Sequence, residues 1–214
     1  MCGLYASTAI LAALRHRDKT GQGQHIDLAL ADTQIAWLVN AGTNYLTSRD
    51  PQPRLGNQHP NIVPYQVFAT QDGYVIIAVG NDAQFKRFCN ILSRSDLATD
   101  HRFAKNVDRI TFRETLIAIL SKEIVKHRKD WLVTEMEAAE VPGGLINNLP
   151  EVFASDQVAA RDMIVSMDNI HAQTGYVDLI GNPIKFSQTP ITYRQAPPTC
   201  GEHTQEILTE LFGS

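Results

Sequence analysis

The chain opens on Met1-Cys2-Gly3-Leu4 and runs straight into Tyr5-Ala6-Ser7-Thr8-Ala9-Ile10-Leu11-Ala12-Ala13-Leu14, a helix-forming stretch that is apolar or small on nearly every face. Such a helix has to be covered on more than one side. No earlier residues supply a cap or a neighbour, so the pattern reads as cut from a larger fold. Arg15-His16-Arg17-Asp18-Lys19 places cations in the last turn, and Thr20-Gly21-Gln22-Gly23 breaks the helix. From His25 to Leu30 apolar residues alternate with polar or small ones, which predicts a half-buried strand. Asp32 or Thr33 is placed to cap a second helix, Gln34 to about Leu46.

Residues 1–46 are thus expected to supply a helix, a strand and a linker helix. Residues 47–64 carry Pro51, Pro53, Pro60 and Pro64 with Gly56, and read as an irregular linker between lobes. From Tyr65 the texture changes. Tyr65–Ala69 and Tyr74–Val79 are β-rich runs around Thr70-Gln71-Asp72-Gly73, a strong hairpin signal. Asn81 and Gln84 have capping-box spacing before a stripe of Phe85, Phe88, Cys89 and Leu92. Helical periodicity continues over about 108–126 and 129–139, so residues 65–140 read as a small domain of hairpin plus helices. Residues 141–214 form a return segment: Val141-Pro142-Gly143-Gly144, a short helix after Asn148, two or three strands around 163–168, 175–180 and 183–187, and a terminal helix after Thr199.

Composition narrows the class. Of 214 residues 43% are hydrophobic and 20% charged, the balance of an ordinary globular chain of α/β or α+β type. A net charge of −4 gives no reason to expect nucleic acid or an anionic membrane as partner. No apolar run reaches the length of a membrane span, and no basic n-region marks a signal peptide. Cys2, Cys89 and Cys200 are odd in number and far apart, which suits free thiols in a reducing cytoplasm better than disulfides or zinc.

Familiar catalytic signatures are missing. Thr20-Gly21-Gln22-Gly23-Gln24 lacks the Gly-Lys-Ser/Thr of a phosphate loop, and the histidines show no metal-ligand spacing. Residue chemistry alone assigns no nucleophile and base. One segment stands out: Gly56, Asn57, Gln58 and His59, followed by Pro60-Asn61-Ile62-Val63-Pro64, concentrate polar side chains between two apolar lobes. Loops of this kind line clefts, although a plain linker has the same composition. Gly143, Gly144 and Gly201-Glu202-His203 are weaker candidates of the same type.

Several segments, taken in order, resemble the family III CoA-transferases and the related 2-methylacyl-CoA racemases. They are Gly3-Leu4-Tyr5-Ala6, Lys19-Thr20-Gly21-Gln22-Gly23-Gln24, Gly56-Asn57-Gln58-His59-Pro60-Asn61-Ile62-Val63-Pro64-Tyr65 and Gly80-Asn81-Asp82-Ala83-Gln84-Phe85. Val141-Pro142-Gly143-Gly144, Phe186-Ser187-Gln188-Thr189-Pro190 and Gly201-Glu202-His203-Thr204 complete the series. The resemblance implies an α/β protein whose small domain is flanked by linker helices and a C-terminal segment of a Rossmann-like large domain.

It also implies CoA transfer between a small acyl-CoA and a carboxylic acid through an aspartyl intermediate, in interlocked homodimers, with no metal or resident cofactor. The family's aspartate heads an Asp-x-x-Thr/Ser-Gly motif. Cys2 and Gly3 fill its last two places, so the aspartate falls two residues before Met1. The expectation is a C-terminal fragment that is inactive alone and meets acyl-CoA only when the N-terminal half is supplied. The resemblance puts Gly56, Asn57, Gln58 and His59 at the acyl site, and Gly143-Gly144 at a turn where Leu145 replaces a usual proline. In the racemase branch a Glu-Pro commonly stands where this chain has Asp82-Ala83, which favours the transferase; a non-catalytic dimerising module is the third alternative.

Overall fold

The structure is a computed structural model that describes residues 1–213. Ser214, the end of the expected 141–214 segment, lies outside the described residues. The chain divides into two compact units, Met1–Leu145 and Ile146–Ser214.

The first unit begins with α1 (Cys2–Thr20), α2 (Leu30–Ala36) and α3 (Val39–Ser48). α1 stops where the sequence breaks it: Gly21 takes φ 75° and its N–H donates to the Arg17 carbonyl at 2.7 Å. The strand expected over 25–30 is not formed; the chain there is irregular and Leu30 already opens α2. Alternation favours an extended backbone, but a strand also needs a ladder partner, and no described strand pairs with this segment. The single helix expected from Gln34 to Leu46 is two. They meet at Trp37-Leu38, and Val39 takes φ 41°, a strained value for a β-branched residue.

The hairpin forms as the Asp72-Gly73 turn predicts: β1 (Tyr65–Ala69) pairs antiparallel with β2 (Tyr74–Ala78), Tyr65 facing Ala78 and Ala69 facing Tyr74. Four helices follow closely, α4 (Asp82–Ile91), α5 (Ser95–Thr99), α6 (Asn106–Thr111) and α7 (Arg113–Ile124), then α8 (Lys129–Ala138). Asn81 caps α4 by accepting the Gln84 N–H at 2.9 Å, while the Gln84 side chain reaches back to the Gly80 N–H instead of closing the box on Asn81. The helix expected over 108–126 divides at Phe112 into α6 and α7. Gly143 and Gly144, expected at a turn, open a third strand, β3 (Gly143–Ile146), beside β2. Close approach explains the glycine: a Cβ on Gly143 would stand 2.7 Å from the Ile76 carbonyl oxygen and would run into the Met136 methyl.

The core of this unit lies between Val63 and Val141. Phe85, Phe88, Cys89 and Leu92 from α4 bury together with Leu116, Leu120 and Ile124 from α7 against Val75 and Ile77 of β2. Burying each such side chain is worth about 2 kcal/mol. By contrast α1 and α3 have no buried residue, and Leu4, Ile10, Leu11, Tyr45 and Leu46 stand exposed.

At the centre of that core sits a charge. Arg109 has no solvent-accessible surface. Its Nε donates to the Val63 carbonyl at 2.7 Å, one terminal nitrogen to the Phe103 carbonyl at 2.8 Å, and the other to Asp82 at 2.9 Å. The guanidinium lies 4.4 Å from the Phe85 ring centroid. Burial lowers its pKa and the Asp82 carboxylate opposes that shift, so the charge is held by one partly exposed acid and a cage of carbonyls.

The second unit holds α9 (Leu149–Phe153), α10 (Asp156–Ala160), the antiparallel pair β4 (Ile164–Asp168) and β5 (Tyr176–Ile180), and α11 (Thr204–Phe212). Asn148 and Glu151 form a complete capping box on α9. The strand expected at 183–187 is irregular; Pro183 and Pro190 flank it, and β4 and β5 pair only with each other among the described residues. Of the described residues in this unit only Gly181 is buried, so ladder bonds and caps, not a core, define its shape.

The caged charge yields a stability prediction. Replacing Arg109 with Met strands the Val63, Phe103 and Asp82 oxygens and should cost about 3 kcal/mol or more in urea unfolding. Asp82→Asn keeps an oxygen in place and should cost about 1–2 kcal/mol. Two equal, small losses would show that the cage does not hold the core.

Candidate functional site

The segment 56–64 is not a loose connector. Three residues on one face of the α6–α7 stretch, Asn106, Arg109 and Arg113, bind it in succession. The Asn106 side chain donates to the Asn61 carbonyl at 2.9 Å and accepts the Val63 N–H at 3.1 Å. Arg109 takes the Val63 carbonyl. Arg113 donates through one terminal nitrogen to the carbonyls of His59 (3.0 Å) and Pro60 (2.9 Å), and through the other to Gln58 Oε1 at 3.4 Å. Asp82 ties the set together by accepting the Asn106 N–H at 3.0 Å as well as the Arg109 bond. Spacings of three and four residues on a helix put these side chains on one side. The Val63-Pro64 peptide is cis.

Each marked side chain has a definite place. Gly56 turns the chain with φ 60°, a backbone that favours glycine. Asn57 Oδ1 accepts the Val67 N–H of β1 at 3.1 Å. His59 stacks on Tyr65, ring centroids 5.1 Å apart, and its Nδ1 accepts the Asn61 N–H at 3.1 Å. Its Nε2 lies 3.2 Å from the Asn40 amide, and Asn44 makes a reciprocal amide pair with Asn61 at 3.0 and 3.1 Å. α3 therefore contributes two asparagines that the sequence did not single out; their spacing, 40 and 44, is the one signal that they share a face. Desolvation, reinforced by the Arg113 charge, lowers the His59 pKa. An Nδ1 that accepts a backbone N–H also disfavours the imidazolium, so the ring is a neutral hydrogen-bonding group.

Each of the other candidates also has a definite place. Gly143 and Gly144 lie in β3, and Gly143 lines a shallow cavity with Glu137 and Glu140. Glu202 accepts the Thr199 N–H at 2.7 Å, which first holds its carboxyl below the usual range, and it lies 3.4 Å from His171 Nε2. The pair closes a turn before α11 instead of capping the helix, which starts at Thr204. Cys89 is buried and its thiol is pushed up to about 12, chiefly by burial, which removes it as a nucleophile. Among the described residues no group of three His, Cys, Asp or Glu could hold a metal, and no helix is long and apolar enough to cross a membrane.

The profile of CoA-transferase family III matches residues 1–204, and the chain belongs to that family. It is 46% identical over 210 residues to a succinate–glutarate CoA-transferase of Agrobacterium fabrum, covering 98% of this chain and 52% of that one. It is 36% identical to the human succinyl-CoA:glutarate CoA-transferase, covering 98% of this chain and 48% of the relative. A crystal structure of a CaiB/BaiF family protein from Brucella suis superposes with a TM-score of 0.77 at 41% identity, over 98% of this chain and 54% of the other. The mixture of helices and small antiparallel sheets matches the α/β fold of that neighbour. The chain spans about half the length of the curated relatives it matches. Family members use CoA thioesters as substrates and not as a resident cofactor.

The lowered pKa of His59 fixes a sign. Because the folded value lies below the ordinary 6.5, the unfolded chain binds the proton more readily between the two values. The His59 contribution to stability is therefore complete above pH 6.5 and is lost as pH falls from there toward the folded pKa. Stability measured from pH 8 to pH 5 should fall more steeply for the native chain than for His59→Gln. Identical pH profiles would contradict this environment.

Proposed function

We propose that the chain is the C-terminal half of a family III CoA-transferase that moves CoA between short acyl-CoA thioesters and carboxylic acids. In this reading the nucleophilic aspartate lies upstream of Met1. It attacks the thioester carbonyl to give a mixed acyl anhydride and free CoA thiolate; the thiolate then forms the aspartyl-CoA thioester and the donor acid leaves. The acceptor carboxylate repeats the steps in reverse. Gly56, Asn57, Gln58 and His59 face the acyl group in the completed site, and the chain alone is inactive. The observation that carries the reading is the family match over residues 1–204. The names of its relatives point to four- and five-carbon dicarboxylic acids as the exchanged acids.

The racemase alternative loses ground at Asp82. Its carboxylate is engaged by Arg109 and the Asn106 N–H, a structural duty that fits the transferase pattern. The dimerising-module alternative draws on the exposed apolar faces of α1 and α3. Those faces support self-association in either case, and the three free thiols suit a cytoplasmic setting.

The test is an assay of glutaryl-CoA formation from succinyl-CoA and glutarate. The chain alone should give no turnover. Adding the N-terminal half of the Agrobacterium relative, with its Asp-x-x-Thr/Ser-Gly segment, should restore transfer. Turnover by the chain alone would overturn the reading, as would a stable assembled pair that does not react.

A further inference from the structure

Arginines withdrawn from solvent in the first unit meet an acid or the end of a helix, and Arg113 meets neither. Arg94 pairs with Asp96 and Glu123, Arg102 with Asp100, and Arg109 with Asp82. Arg87 has no acid but donates to the Ala139 and Glu140 carbonyls just beyond the C-terminal end of α8, where the helix dipole supplies negative potential. Arg113 donates only to Gln58 and to two loop carbonyls, and among the described residues no carboxylate pairs with it. Desolvation alone accounts for its lowered pKa. A partly dehydrated guanidinium with neutral partners retains unspent affinity for an anion.

Arg113 also lines a cavity of about 800 Å³ between the Pro53–Gln58 stretch and the start of α7, a size ordinary for small-molecule sites. Leu55, Ile110, Phe112 and Ile117 supply apolar wall, and Ile110 and Phe112 stand exposed there. The charged side chains on the cavity are Arg54, Arg113 and Glu114. Two cations and one anion leave a net charge of +1.

We propose that this cavity binds the carboxylate of a short dicarboxylic acid, with Arg113 as its fork-shaped ligand and the methylenes along the apolar wall. Gln58 is the residue the carboxylate displaces from Arg113, so occupancy is felt directly in the 57–59 loop. The apolar wall beside Arg113 favours a carboxylate carried on methylenes over inorganic phosphate. The identity of the acid rests on the transferase reading; binding itself does not.

The experiment titrates the full chain with glutarate, neutral glutaramide and inorganic phosphate, following amide resonances of Leu55, Gln58 and Ile117 by NMR. Glutarate should shift them saturably, while glutaramide should not. Arg113→Gln should weaken binding about tenfold or more, and Glu114→Gln should tighten it about threefold. If Arg113→Gln fails to fold, Arg113→Lys, which keeps the charge but loses the fork, should still weaken glutarate severalfold. Unchanged affinity in the Arg113 variant, no response in Glu114→Gln, or phosphate binding as tightly as glutarate would each overturn the proposal. Intact glutarate binding in an assembled pair without transfer would count against the transferase reading alone. Transfer without binding here would count against this site alone.

Discussion

The arrangement of the first unit depends on one buried cation. Arg109 cannot be hydrated where it sits, so its donors must be met by groups the chain brings to it. Meeting them fixes the Val63 and Phe103 carbonyls and the Asp82 carboxylate around a single point. Asp82 begins α4 and Val63 ends the irregular loop, so loop, hairpin and helices share one register. The cage also explains why Asn106 and Arg113, neighbours of Arg109 on the same face, meet the 58–63 backbone at hydrogen-bonding distance.

Much of this was legible in the chain and some was not. The hairpin, the Phe85–Leu92 stripe, the short helix after Asn148 and the close of α1 at Gly21 follow from local chemistry: each rests on residues within a few positions. The strands expected at 25–30 and 183–187 failed because alternation does not supply a pairing edge. The 56–59 loop could be marked by its composition, but its anchors could not. Asn106, Arg109 and Arg113 lie some fifty residues away and look like an ordinary charged helical face until the fold places them. The break at Val39 has no signal in the sequence.

The two units differ in what holds them. Residues 63–141 enclose a core, whereas the described part of Ile146–Ser214 buries almost nothing, and α1 buries nothing. Leu4, Ile10 and Leu11 of α1, Leu46 of α3 and Leu211 of α11 stand in water, and apolar faces of that kind usually mark interfaces. The loop carrying Asn57, Gln58 and His59 is hydrogen-bonded to the core-forming part. The proposed role at the acyl site requires such positioning before substrate arrives.

The central claim is that residues 57–63 are a fixed part of the first unit and not a linker. Hydrogen exchange tests it amide by amide, because the N–H groups of His59, Asn61, Val63 and Val67 each have an assigned acceptor in this network. The account predicts protection at Val63 approaching that of Val75 and Ile77 in β2, with a graded loss toward Asn61. Exchange at Val63 as fast as in the irregular stretch around Gln24 would contradict it.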